Sequence, residues 1–176
     1  MYKRQVLIGV ISAVALPKFA DLDDKATLAV LKNFKGLIAS SASITHSEIM
    51  LNPQNKRNNN SRYRFENTDV IRIRADYPDG RWNLTFSILL DMSTFDIAQV
   101  NSNNCNSNDW CVRQRGVNWF RSRGYTLATA GRGFAIFPKE FNVNNQDCYV
   151  YYFTPNGTAQ PITPLAPITG LVTSDC

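Results

Sequence analysis

The chain has 176 residues, a length that predicts one domain or one domain with an appendage. Its hydrophobic content of 44% and its charged content of 19% exclude a disordered chain. Lysine and arginine number 19 against 14 acids, for a formal charge of +5. The single histidine, His46, excludes a metal site built on two histidines, and we expect it to be solvated or to cap a helix. Because the sequence also has no Gly-rich phosphate loop and no nucleophile elbow, we expect no catalytic residue, no metal, no cofactor and no enzyme activity.

The first predicted element is an apolar run close to the N-terminus. Residues 6–16 (VLIGVISAVAL) carry no charge, whereas a helix needs about 20 apolar residues to cross a bilayer. The run is therefore too short to span a membrane alone, and it could also be the core of a secretory signal peptide. Pro17 follows it. This proline either opens the next helix at its first turn or kinks a longer helix that begins upstream.

From Phe19 onward, the spacing predicts an amphipathic helix that ends near Asn52 and Pro53. At about 100° per residue, its apolar positions lie within about 80° of one line. Two residues depart from the pattern, because Asp23 lies near the apolar seam and Leu28 lies on the polar side. Each indicates contact with a neighbouring chain. The apolar positions are Phe19, Leu22, Ala26, Ala29, Val30, Phe34, Leu37, Ser41 and Ile44.

Beyond the helix, the chain changes from helical to strand-like patterns. Residues 54–61 form a polar loop without apolar anchors. Strict alternation predicts a strand over 69–75 (DVIRIRA), and the apolar and β-branched residues of 82–90 (WNLTFSILL) predict another. A turn is expected between them at 77–80 (YPDG).

The C-terminal third predicts further strands of the same sheet. Residues 134–137 and 149–153 read as strands, and 142–145 is a turn-rich connection. The tail, 155–176, is rich in Pro, Thr and Gly and predicts an irregular or extended edge segment. The Asn-rich segments 101–108 and 142–145 are candidates for exposed, ligand-facing loops. The predicted fold class is α+β: a long N-terminal helix packed on an antiparallel β-sheet head that carries one short helix.

Positive charge is concentrated between Trp110 and Lys139, which enclose five arginines and no acid. A short helix is predicted here, opened by Asn108 or Asp109 and ending near Arg123. Arginines on such a helix surround its axis, so a solvated surface that pairs with acidic neighbours is favoured over nucleic-acid binding. The candidate surface-contact residues are Arg113, Arg115, Arg121, Arg123 and Arg132.

The four cysteines are Cys105, Cys111, Cys148 and Cys176. None belongs to a C-x-x-C motif, which argues against zinc. An even number predicts two disulfides and an oxidising compartment. Three pairings are possible, and we favour Cys105 with Cys111 and Cys148 with Cys176. The second bond would join the C-terminus to an interior strand.

The residues from Val6 to Leu22 resemble the first helix of type IV pilins. In that family an apolar half, a glycine and a helix-bending proline precede an amphipathic half, and Gly9 and Pro17 match these positions. The string 15–22 (ALPKFADL) is most similar to the mannose-sensitive haemagglutinin class of major pilins. The head resembles that class more loosely, in a Tyr77-Pro78 turn, Cys105 ahead of a helix with Trp110, the strand start Asp147 to Val150, and the terminal Ser174-Asp175-Cys176.

The resemblance implies a filament subunit with an assembly helix at 1–51 and a disulfide-bonded head at 52–176. Within the helix, 6–16 would be the membrane half and 17–51 the amphipathic half. The implied partners are other copies in a helical homopolymer, the pilus assembly machinery of the inner membrane, and host, abiotic or carbohydrate surfaces. Nucleic acid is a weaker candidate. The implied assembly residues are Val6, Leu7, Ile8, Gly9, Val10, Ile11, Leu16, Pro17 and Phe19.

The first five residues depart from the family pattern. Pilins carry a glutamate at the fifth mature position, which by this register would precede residue 1. We expect Met1 to Gln5 to be non-native residues that replace the natural start. The implied location is an extracellular pilus of a Gram-negative-like bacterium, with an inner-membrane stage before assembly. The alternatives are a minor pilin, a type II secretion pseudopilin, or a secreted, monomeric, lectin-like module whose residues 6–16 are a signal core.

Overall fold

A computed structural model describes most of the chain. The described residues are 3–59, 61–65, 70–91, 97–106, 108–124, 130–155 and 166–176, and within the N-terminal helix side chains are described from residue 24 onward. One long helix is followed by two β-sheets and two short helices. The predicted α+β class is confirmed at this level. The finer prediction of one antiparallel sheet with one short helix is wrong, because the described strands form two sheets, one of which contains a parallel pair.

Helix α1 spans Lys3–Leu51. It continues through Pro17, so Pro17 does not open a helix, and of the two alternatives only a proline within a longer helix remains. The helix ends at Leu51, as expected from Pro53, because a proline disfavours helical backbone at the residue before it. A short 3₁₀ helix, Pro53–Asn55, leads into the first sheet.

The buried seam of α1 differs from the predicted apolar stripe. Phe34 is buried as expected, but Leu37 is 37% exposed and Ile44 is 70% exposed. The seam is displaced from the predicted stripe by about one residue, or about 100° around the axis. The residues of α1 buried against the head are Leu31, Phe34, Ile38, Ala42, Thr45 and Ile49.

The first sheet has four antiparallel strands in the order β1-β2-β3-β4. They are β1 (Lys56–Arg57), β2 (Arg62–Arg64), β3 (Val70–Arg74) and β4 (Tyr77–Pro78). Strand β3 confirms the prediction over 69–75. The predicted turn at 77–80 is displaced, because Ala75 and Asp76 make the turn with φ values of 49° and 65°. Pro78 lies in the edge strand, where a missing N–H is tolerated.

The predicted strand over 82–90 is wrong. This segment forms a 3₁₀ helix, Trp82–Leu84, and helix α2, Phe86–Leu89. Trp82 and Phe86 are both buried, and their rings lie 4.9 and 5.0 Å from the ring of Phe134. On a helix, two large side chains four residues apart lie on one face and can contact the same neighbour. A run of apolar residues does not by itself specify a strand.

The second sheet has five strands in the order β5-β6-β7-β8-β9. Strand β5 runs parallel to β6, and the other neighbours are antiparallel. The strands β7 and β8 confirm the predictions over 134–137 and 149–153, and β9 lies at the edge as expected of the tail, whose residues 156–165 lie outside the described part. The strands are β5 (Ile97–Gln99), β6 (Trp110–Gly116), β7 (Gly131–Pro138), β8 (Tyr149–Pro155) and β9 (Ile168–Val172).

The predicted helix over 108–123 is largely wrong. Its first part is strand β6, and only α3 (Val117–Arg121) is helical. Strand β6 pairs with β7 from Trp110 opposite Pro138 to Gly116 opposite Arg132. This ladder of long-range pairs overrides the local capping signal at Asn108 and Asp109, because strand formation depends on cross-strand neighbours.

The five-stranded sheet is covered on both faces. One face packs on α1, with Phe34 edge-on to Trp110 at a ring distance of 5.2 Å. The other face packs on α3 and the 101–106 loop, around Phe120 and Phe153. A smaller core joins the four-stranded sheet to the end of α1; its buried members are Ile49, Tyr63, Ile71 and Ile73.

Candidate functional site

The exposed side of α1 carries apolar residues that the fold of one chain does not bury. Leu37, Ile44 and Leu51 are 37%, 70% and 77% exposed. They are seven residues apart, which places them on nearly the same side of the helix, with a drift of about 20° per step. We call Leu37, Ile44 and Leu51 the helix stripe.

A groove runs beside the helix stripe. It has a volume of about 380 Å³. Its floor and walls combine two small serines of α1 with apolar side chains from the loop after β2 and from the end of α2. The residues that line this helix groove are Leu37, Ser40, Ser41, Ile44, Thr45, Phe65, Leu89 and Leu90.

The helix stripe is exposed because the apolar sector of α1 is wider than its contact with the head. The buried seam and the helix stripe together cover about half of the helix circumference, whereas a surface helix commonly buries a sector of about 100°. The head covers the side of Leu31 and Ile38 and leaves that of Ile44 open. The predicted stripe is therefore apolar, but much of it faces outward.

Polar contacts fix the C-terminal end of α1 on the first sheet. Nδ1 of His46 donates a hydrogen bond to the Asp76 carbonyl at 2.7 Å, and its ring stacks on Tyr77 at 3.9 Å. Tyr63 donates to the Glu48 carboxylate at 3.0 Å. The sequence predicts that His46 is solvated or caps a helix. In the structure it instead anchors α1 to the β3–β4 turn.

The predicted assembly residues all belong to α1. Val6 to Ile11, Leu16, Pro17 and Phe19 have helical backbone, and their side chains lie outside the described part. None of the described helical segments combines the length and the hydrophobicity of a membrane span. The run 6–16 is shorter than a span, as the sequence indicates.

Arg113, Arg115 and Arg123 make contacts within the head. Arg113 and Arg115 both donate to the Asn103 side-chain oxygen, the latter at 3.1 Å. The guanidinium of Arg123 lies 3.9 Å from the centre of the Trp119 ring and donates to the Asn144 carbonyl at 2.9 Å. These arginines therefore hold the two Asn-rich loops against the sheet.

Arg115 is the most buried of these arginines. Burial, together with repulsion from Arg113 and Arg123, lowers its pKa to about 10, while Tyr149 opposes the shift. Its guanidinium also lies 4.8 Å from the centre of the Trp119 ring. A side chain that is 9% exposed is poorly placed to bind an external partner.

The Asn-rich loops pack on one another. Asn104 and Asn142 form a β-bridge, and the Val143 amide donates to the Asn103 carbonyl at 3.0 Å. The Asn144 side chain accepts from the Trp119 indole at 3.0 Å. Several of these amides therefore serve internal hydrogen bonds, which weakens the expectation that the loops are free to bind a ligand.

The remaining two candidate arginines, Arg121 and Arg132, lie on different elements. Arg121 is exposed on α3. Arg132 lies at the start of β7. Burial lowers the pKa of Arg81, and repulsion from Arg132 contributes to the shift. Sequence reasoning missed this second group, which also includes Arg72 and Arg74 of β3. The strict alternation of DVIRIRA was the available signal, since it places those two arginines on one face of the strand.

The cysteines form two disulfides, and the favoured pairing is confirmed. Cys105 is bonded to Cys111, and Cys148 is bonded to Cys176. The second bond joins the start of β8 to the C-terminus. Disulfides of this kind indicate an oxidising, extracellular or periplasmic environment.

Neither a metal centre nor a similar known protein indicates the function of the described surfaces. Among the described residues, no group of three or more His, Cys, Asp or Glu side chains could hold a metal ion. No protein-family model, no curated protein and no solved structure matches this chain. Functional inference therefore depends on the geometry of the chain itself.

Proposed function

We propose that this chain is the structural subunit of an extracellular filament similar to the type IV pilins of the mannose-sensitive haemagglutinin class. The observation that carries the proposal is the helix stripe of Leu37, Ile44 and Leu51, exposed on a helix whose other side is already buried. Ile44 and Leu51 are mostly exposed, so they contribute little to the fold of one chain. The occupant we propose for it and for the helix groove is α1 of a second copy.

The spacing and the length of α1 both favour packing between helices. Residues seven apart form the seam of helices that pack side by side. A helix of 49 residues is about 74 Å long at 1.5 Å per residue. A compact domain of about 125 residues is only about 36 Å across. The helix is thus long enough to contact several neighbours beyond its own head, and its run 6–16 is apolar.

A filament of such subunits would attach to surfaces by multivalency. Each head would present the same weakly binding surface, and many copies along one filament raise the avidity far above that of one site. The two disulfides support a head that works outside the cytosol. The pilus assembly machinery of the inner membrane is the corresponding cellular partner.

The rival function, a monomeric lectin-like module, has weaker support. Sugar recognition commonly uses an open aromatic face, and Trp119 lies beside a polar cavity lined by Arg123, Asn144 and Tyr149. Arg123 covers the Trp119 ring at 3.9 Å, and the indole N–H is already bonded to Asn144. The aromatic face that a sugar would stack on is therefore occupied by the protein.

The test compares two aspartate substitutions on α1 in the cell that makes the protein. Ile44→Asp introduces a charge into the helix stripe, and Ala39→Asp introduces the same charge at an exposed position about 140° around the helix. We expect Ile44→Asp to lower the amount of sheared surface filament at least about tenfold, because an unpaired charge in an apolar interface costs several kcal/mol. Ala39→Asp should leave it within about twofold.

Total subunit in the cell, measured in parallel, separates failed assembly from degradation. Equal filament yields from the two variants would show that the helix stripe does not pack in an assembly.

Mass spectrometry of the N-terminal peptide supplies the second test. An N-methylated start on an apolar stretch continuous with Val6, with a glutamate at its fifth position, supports a pilin. A mature start at or after Pro17 in a soluble monomer would replace the proposal with the lectin-like module. Abundance in the filament distinguishes a major from a minor subunit.

A further inference from the structure

We propose that four arginines where the two sheets meet form a binding site for the sulfate or phosphate esters of an anionic polysaccharide. The arginines are Arg72 and Arg74 of β3, Arg81 after β4, and Arg132 of β7. We call these four residues the arginine site. It lies apart from the helix groove and does not depend on filament assembly.

The register of the first sheet places arginines in a row. In β3 the two isoleucines are buried, so Arg72 and Arg74 share the outer face. Arg72 is directly opposite Arg62 of β2, and Arg62 is directly opposite Arg57 of β1. Like charges directly opposite one another destabilise an antiparallel pair. The row therefore extends the positive charge of the arginine site across three strands, at a cost that bound anions would offset.

The segment after β4 brings Arg81 to Arg132. A Cβ on Gly80 would lie 2.6 Å from the carbonyl carbon of Arg132 and would overlap its oxygen, so only glycine allows this approach to β7. The Pro78 carbonyl accepts a hydrogen bond from Thr154 at 2.9 Å, which fixes the segment on the second sheet. Arg81 and Arg132 are thus held together by the backbone.

One carboxylate lies among the four guanidinium groups. Asp79 is 2% exposed, and its Oδ2 lies 3.8 Å from Nη2 of Arg74 and 3.6 Å from Nε of Arg81. Charge-assisted hydrogen bonds are shorter, at about 2.7–2.9 Å. Four arginines and one aspartate leave an excess of three positive charges among the described residues of the arginine site.

Several donors of the arginine site lack partners. The Nε–H groups of Arg72, Arg74 and Arg81 are buried and have no hydrogen-bond partner within the described part of the chain, and neither does Oδ1 of Asp79. Buried donors in native proteins are nearly always paired, and exceptions commonly indicate a water or an ion. Burial lowers the pKa of Arg81, as does repulsion from Arg132 and Arg72, while Asp79 opposes the shift. Among the described residues, the four arginines therefore have more positive charge than Asp79 balances.

The chemistry of the site favours ester oxoanions repeated along a chain. The planar fork of a guanidinium matches sulfate and phosphate oxygens, which accept two parallel hydrogen bonds. Lys56 of β1 lies opposite Tyr63, on the other face of the sheet from the row, and is already paired with Asp76 at 2.7 Å. Single-stranded nucleic acid would need open aromatic faces, and the nearby Tyr77 is stacked on His46. A polysaccharide uses the row of charges without base stacking.

The experiment measures the affinity of the full chain, kept in a non-ionic detergent, for two probes by titration calorimetry at about 0.15 M salt. Heparin presents sulfate esters and phosphomannan presents phosphate esters, and the tighter probe identifies the ester. We expect Arg72→Gln and Arg81→Gln to weaken that binding at least about tenfold. Arg121→Gln, which removes the same charge from the exposed surface of α3, should change it less than about twofold.

The controls decide between this site and general attraction. Equal losses in Arg81→Gln and Arg121→Gln would overturn the proposal, because net charge alone would then explain binding. Tighter binding of a DNA duplex than of either polysaccharide, lost in the same variants, would overturn the choice of ligand. Thermal unfolding reports whether each variant folds. Arg62→Gln, at the exposed middle position of the row, gives a second test that leaves the buried residues intact, and we expect it to weaken binding about threefold.

Discussion

Removal of the Cys148–Cys176 disulfide should destabilise the head more than removal of the Cys105–Cys111 disulfide. The two bonds join residues separated by 28 and 6 positions. In the chain-entropy description, loops of these lengths restrict the unfolded chain by about 3.6 and about 2.2 kcal/mol at 25 °C. We therefore expect the free energies of unfolding of the two double variants to differ by about 1.4 kcal/mol.

The local structure modifies this expectation. The Asp147 amide donates to the Asp175 carboxylate at 2.7 Å, and the Asp175 amide donates to the Asp147 carbonyl at 3.2 Å. These bonds also hold the C-terminus to the start of β8, and they remain when Cys148 and Cys176 are replaced. They limit fraying of the native state, so the entropy of the unfolded chain should account for most of the measured difference.

The assay is urea denaturation of the full chain, followed by tryptophan fluorescence. Alanine replaces both cysteines of a pair, since alanine leaves no reactive thiol and buries no hydroxyl. With a slope of about 2 kcal/mol/M, the Cys148/Cys176 variant should unfold at about 1.8 M less urea than the wild type, and the Cys105/Cys111 variant at about 1.1 M less. If the short-loop variant loses as much stability as the long-loop variant, loop length does not determine the effect, and packing of the buried Cys105 and Cys111 does.

Two further predictions concern glycine positions and alkaline stability. Gly36→Ala, at an exposed helical position with no heavy atom within 4 Å, should raise the free energy of unfolding by about 1 kcal/mol. Gly80→Ala should lower it by about 1–3 kcal/mol, because its Cβ overlaps the Arg132 backbone; urea denaturation that finds the two variants equally stable would contradict this reasoning. Burial raises the pKa of Tyr152, so stability present at neutral pH should be lost as the pH rises above about 10. Tyr152→Phe loses the hydrogen bond to Pro78, about 1 kcal/mol near pH 7, but its stability should fall less than that of the wild type between pH 8 and pH 11.

Parts of the fold could be predicted because their signals are local. Strand β3 alternates strictly, and the buried strands β7 and β8 are short apolar runs between turn residues. Strand β6 was missed because Asn108 and Asp109 also fit the start of a helix, whereas the strand depends on pairing with β7, which comes later in the chain. For 82–90 the error was the reverse, a strand predicted where the chain is helical. The apolar and β-branched residues suggested a strand, but Trp82 and Phe86 pack at helical spacing.

The candidate surfaces were predictable only in part. Periodicity identifies which residues of α1 are apolar, but it does not say which part of a wide apolar sector meets the head, so Ile44 was expected to be buried. Counting charge along the chain indicated the 110–139 segment, yet Arg115 and Arg123 are used within the head. The arginine site depends on the alternation of β3 and on the approach of Gly80 to β7, and the second of these is a tertiary contact.

The helix groove and the arginine site lie on opposite sides of the four-stranded sheet. Its inner face buries Ile71 and Ile73 with Ile49 at the end of α1, whereas its outer face carries Arg72 and Arg74. The two surfaces also use different forces, since apolar contact is insensitive to moderate salt and paired surface charges are screened within about 8 Å at physiological salt. Variants of the two surfaces should therefore be close to additive. In the proposed filament the helix stripe is buried, and an outer face that stays uncovered would present the arginine site once per subunit. Repetition of that kind suits a ligand whose charges also repeat along a chain.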